Sequence, residues 1–138
     1  MTAPTLPHVA LTARQSAIVI AAGVAFWFGF AIAVRLIGAA TLLDGGVRTL
    51  VTFALLVPVS MPVVALVRRA AGLGAAQLLP GLALSTMAAT LCDGVTFTWF
   101  PQLYGVRGAE ALPVSAAVLW GAGVGLAVAW LMGRREGA

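Results

Sequence analysis

Residues 17–37 read AIVIAAGVAFWFGFAIAVRLI, an apolar run in which Arg35 is the sole charge. The hydrocarbon core of a bilayer requires roughly 20 such residues in a helix, whereas the apolar core of a signal peptide is about 7–15 residues long. The run therefore predicts a retained transmembrane helix rather than a cleaved signal. Working outward, three further runs have the same character, at about 49–67, 78–99 and 112–132. The predicted fold is all-α: a polytopic membrane protein with four transmembrane helices in an antiparallel bundle with short loops, forming one domain over residues 1–138.

Composition points the same way. Of 138 residues, 62% are hydrophobic and 9% charged, against about 25% charged in an ordinary soluble domain. All 8 basic residues are arginine, set against 4 acids for a net charge of +4. They occur singly or in pairs, which suits membrane topology and lipid headgroups rather than nucleic acid. The single cysteine, Cys92, excludes an intramolecular disulfide and any CxxC site. The only histidine, His8, lies in the N-terminal tail and leaves metal chemistry poorly supplied with ligands. With no nucleophile-and-base pair, phosphate loop or metal constellation, neither catalysis nor a cofactor is expected.

Arg14, Arg68, Arg69, Arg134 and Arg135 fall on one side of the four spans, and Arg35, Arg48 and Arg107 on the other. The positive-inside rule makes the richer side cytoplasmic, with both termini. Trp99 and Tyr104 then mark the outer boundary and Trp130 the inner one, as amphipathic rings do at membrane interfaces. Trp27 falls mid-span and calls for a packing explanation.

In lipid, helices associate closely where small residues let their backbones approach. Span one carries Ala17, Ala21, Ala25, Gly29 and Ala33 at four-residue spacing, and span four carries Ala117, Gly121, Gly125 and Ala129. Each stripe predicts a helix interface, within the bundle or between protomers. Span two contains Pro58 and Pro62, which predict a kink that sets shape or serves a gate. Gly46-Val47-Arg48 recurs as Gly105-Val106-Arg107, hinting at a duplicated helical hairpin.

Span three is chemically unusual. Thr86, Thr90 and Asp93 share one flank, with Ser85, Cys92 and Thr96 on the adjoining row. An aspartate at the centre of a transmembrane helix costs about 2.5–3.5 kcal/mol on insertion scales, which makes it a functional candidate. Depth along the helices suggests Arg35 as its partner, in an ion pair that would be structural. Without a partner the acid would instead be neutral and suited to proton coupling. Asp44, Arg48, Arg107 and Glu110, in the outer loops, would extend such a charge cluster. Cys92 reads as a small packing residue.

At LCDGVTFTWFPQLYG, residues 91–105, together with VRLIGAATLL, residues 34–43, and the proline-containing span two, the chain resembles the small bacterial four-helix integral membrane proteins of domain-of-unknown-function family 5367. The matching residues are Asp93, Phe100 and Pro101, with Arg35 on the first helix; Trp99 stands where the family motif has a phenylalanine. The resemblance implies a multipass protein of the bacterial inner membrane and no assigned activity. The expected function is a non-enzymatic accessory or scaffold protein with a buried Arg35–Asp93 pair; the alternative is a small oligomeric transporter or channel subunit using Asp93 as a proton or cation site. The expected surroundings are the lipid bilayer and a homo-oligomer or larger membrane complex.

Overall fold

The structure, a computed structural model, describes residues 10–137; His8 lies outside them. Among the described residues all regular structure is helical. The long helices are α1 (Ala13–Ile37), α3 (Val47–Ala71), α4 (Ala75–Trp99) and α5 (Ala111–Gly137). A one-turn helix, α2 (Ala39–Leu42), lies between the first two, and two 3₁₀ turns, Pro101–Tyr104 and Gly108–Glu110, lie between the last two. The four long helices are each long and apolar enough to cross a membrane. They enclose the four expected spans and extend beyond them at several ends.

Local chemistry sets the boundaries. Thr12 and Gln15 form a reciprocal capping box at the start of α1, satisfying two orphan amides. At the end of α3, Gly72 adopts a left-handed conformation with φ 62°. The Gly72 amide then donates to Arg69 O and the Leu73 amide to Arg68 O, the Schellman pattern that favours glycine at this position. The Gln77 side chain accepts from the Gly74 amide and donates to the Ala10 carbonyl. The tight 72–74 turn is thereby tied to the start of α1. Pro58 and Pro62 sit on the exposed face of α3, which runs on through both.

Around the bundle, α4 packs against α1 on one side and α5 on the other, α5 continues to α3, and the α3–α1 seam is the loosest. The tightest approach is at Gly23 of α1, where an added Cβ would stand 2.2 Å from the Ser85 carbonyl oxygen. Two packed layers result. One, around Val19, Val64, Leu78 and Ala129, lies toward the end where α1 begins. The other, around Ala31, Val34, Tyr104 and Val114, lies toward the opposite end.

The two small-residue stripes have different fates. On α5, Ala117 and Ala129 are buried and Gly121 and Gly125 half-buried, so that stripe faces the bundle. On α1, Ala17, Ala21, Ala25, Gly29 and Ala33 are all exposed, which overturns the within-bundle option for this stripe. The packed face of α1 is instead Val19, Gly23, Ala31 and Val34, where Gly23 lets the α4 backbone at Ser85 come close. The repeated tripeptides also diverge: Val47 is 75% exposed at the start of α3, whereas Val106 is 1% exposed in the core.

Candidate functional site

Between the two packed layers lies a cavity of about 120 Å³. Its walls are mostly apolar, with hydroxyls from Ser60, Ser85, Thr86 and Thr90, and with Asp93, Tyr104 and Trp27 toward one end. Phe26 and Val59 line it while remaining half-exposed on the outer surface, so its thinnest wall is the α1–α3 seam.

Asp93 is 7% exposed and accepts a hydrogen bond from the Tyr104 hydroxyl. Sequence spacing alone made Tyr104 an interfacial anchor; it is instead wholly buried. The reversal begins at Phe100, where α4 ends, and passes through the 3₁₀ turn Pro101–Tyr104 to Gly105, left-handed with φ 75°. That turn sends the tyrosine ring back into the bundle. There it stacks on Phe97, centroids 4.8 Å apart at 9°, and meets Phe30 edge-on at 6.3 Å. The Pro101 and Gly105 bracket was the available sequence signal, since proline opens such a turn and glycine supplies its positive φ.

Arg35 is not the partner of Asp93. Its Nη1 donates to the Gln102 carbonyl at 2.9 Å, and the ion pairs among the described residues do not include it. The physical reason is competition: Tyr104 reaches the carboxylate from the folded-back turn, while the guanidinium remains exposed and satisfies a carbonyl that the turn presents. Trp27 accounts for its mid-span position by lining the cavity near Asp93 and Tyr104. Its buried Nε1–H lies near that pair but has no partner in hydrogen-bonding geometry among the described residues.

The remaining candidates separate. Thr86 and Thr90 line the cavity with Asp93, but the Thr90 hydroxyl donates back to the Thr86 and Met87 carbonyls at 2.9 and 3.1 Å. Such local bonds satisfy a hydroxyl within its own helix. Gly121 and Gly125 form part of the opposite wall. Arg48 pairs with Asp44 at 3.9 Å on the surface, and Arg107 is exposed. Glu110 accepts from the Arg107 amide at 3.2 Å, so the contacts in these loops are local and do not extend the Asp93 site. Cys92 faces a different groove, beside Arg35.

At the other end of the bundle Arg68 of α3 makes a two-pronged contact with Glu136 of α5. Arg134 lies over the Trp130 ring, 4.7 Å from its centroid. Among the described residues no group of three His, Cys, Asp or Glu side chains is placed to hold a metal ion. The arrangement puts one carboxylate and one phenol hydroxyl, hydrogen-bonded to each other, on the cavity wall. Compared with known proteins, the chain matches no family model, no curated protein and no solved structure.

Proposed function

We propose that the chain is a small multipass carrier or channel subunit in which Asp93 binds a proton or a small cation. One observation carries this reading: a buried carboxylate opens on a cavity between two packed layers, with a tyrosine hydroxyl and no cationic partner among the described residues. An uncompensated charge in such surroundings is expensive, so the acid is best accommodated with a bound proton or cation. Proteoliposomes loaded with a pH-sensitive dye and given a potassium diffusion potential test it. Wild type should carry a proton flux, or with a sodium-sensitive dye a sodium flux, that Asp93→Asn loses; neither flux in wild type would sink the reading.

A second reading is a non-enzymatic accessory or scaffold protein. It is supported by the Tyr104–Asp93 hydrogen bond, which clasps the α4–α5 connection onto α4, and by the exposed small-residue stripe of α1, suited to a protomer or partner helix. On either reading the chain is proposed to be a bacterial inner-membrane protein of the kind it resembles. Both termini would then be cytoplasmic, following the excess of arginine at that end.

A further inference from the structure

A second cavity lies on the outer side of the seam between α1 and α4, with Trp27 lining both it and the first. It is a groove of about 580 Å³. Leu91, Val95 and Phe100 form exposed apolar walls, 63%, 48% and 55% accessible. Arg35 stands at one end. Its Nη1 is held by the Gln102 carbonyl, and its stem lies against Gly105, where an added Cβ would be 3.5 Å from Arg35 Cγ. Its other guanidinium donors have no protein partner among the described residues. Along α1 the groove extends from Arg35 to Trp27, about 12 Å at a rise of 1.5 Å per residue.

We propose that this groove binds an anionic phospholipid, with its phosphate against Arg35 and an acyl chain along Leu91, Val95 and Phe100. A lipid-facing apolar groove cannot be filled favourably by water. The occupant must also offer an anion at only one end, which a packed apolar helix does not. Guanidinium is the side chain best matched to phosphate oxygens, and tethering by Gln102 holds it over the mouth of the groove. Charge complementarity selects an anionic over a zwitterionic headgroup. Apart from the shared wall of Trp27, its lining is separate from that of the Asp93 cavity.

The experiment is native mass spectrometry of the full chain released from detergent after exposure to equimolar dioleoyl-phosphatidylglycerol and dioleoyl-phosphatidylcholine. Wild type should retain phosphatidylglycerol preferentially. Arg35→Gln should reduce that preference about fivefold, which corresponds to the ~1 kcal/mol a basic residue contributes near an anionic surface. Arg107→Gln, an exposed arginine at the same end, should leave it intact, and Val95→Trp should lower retention of both lipids by filling the groove. Equal retention of the two lipids by wild type, or an unchanged preference in Arg35→Gln, would overturn the proposal. Should Arg35→Gln fail to fold, wild-type Cys92 still decides. Its alkylation by a bilayer-soluble maleimide should be slower in phosphatidylglycerol nanodiscs than in phosphatidylcholine ones, and equal rates would overturn the proposal.

Discussion

The hydroxyl of Tyr104 donates to the carboxylate of Asp93 deep in the bundle, across a helix end and a reversed turn. Two residues of one short stretch, both polar and both buried, thus supply each other's principal contact. The bond anchors the α4–α5 connection, and it leaves the carboxylate on the wall of the central cavity.

Tyr104→Phe should destabilise the protein while preserving the ring's stacking on Phe97. Leaving a buried acceptor without its donor costs about 1–3 kcal/mol, a loss readable as a lower melting temperature in detergent. Asp93→Asn should be milder, because its amide oxygen can still accept from Tyr104. Equal stability of wild type and Tyr104→Phe would show that the clasp contributes nothing.

Arg35→Gln gives the converse result. Its hydrogen bond to Gln102 is at the surface, where an interaction of this kind contributes about 0.5–1.5 kcal/mol at most. The melting temperature should therefore change less than in Tyr104→Phe. A large drop would restore a structural role for Arg35 that its exposed setting argues against.

Four spans were legible because their apolar length is a bulk property that tertiary packing does not alter. The cavity-lining set Thr86, Thr90 and Asp93 was legible for a related reason: helical periodicity places them on one flank. Tyr104 was not, because its direction depends on a turn outside the spans, and an aromatic near a helix exit ordinarily reads as an interfacial anchor. The packing face of α1 was also hidden. Four-residue spacing of small side chains identifies a smooth face but not the occupied one, and the occupied face was decided by Gly23 meeting the Ser85 backbone.

That contact separates two glycines of one helix. Gly23→Ala would put a methyl group 2.2 Å from the Ser85 carbonyl oxygen, forcing α1 and α4 apart at a cost of about 1–3 kcal/mol, as overpacking does. At Gly29 an added Cβ meets nothing within 4 Å, so Gly29→Ala should be neutral or gain up to about 1 kcal/mol from helix propensity. Melting temperatures of the two variants in the same detergent check this; equal effects would refute the assigned crossing.

In the loop before α3, Asp44 accepts from the Gly46 amide at 2.8 Å and more weakly from the Thr49 amide at 3.4 Å. Its pKa is held below the ordinary carboxylate value, chiefly by the Gly46 hydrogen bond, against the opposing effect of desolvation, and with help from Thr49 and nearby Arg48. A depressed folded-state pKa means that the stabilisation is present above the unfolded value and lost as pH falls through the folded one. Amide exchange at Gly46 and Thr49, corrected for intrinsic rates, should therefore accelerate below about pH 4 in wild type. Asp44→Asn should remove that step, and a step that persists in Asp44→Asn would assign it to another group.

Filling the cavity separates a carrier from a scaffold. Gly125 lines the cavity and an added Cβ there meets nothing within 4 Å, so a Gly125→Leu side chain starts without a clash and extends toward the cavity space. Helix propensity favours the change by up to about 1 kcal/mol, and the new side chain gains contacts that an open cavity lacks. The variant should melt at or above the wild-type temperature. If the cavity carries cations or protons to and from Asp93, proteoliposome flux should fall at least severalfold despite that stability. Flux present in wild type and unaltered in a stable Gly125→Leu would place the route outside this cavity.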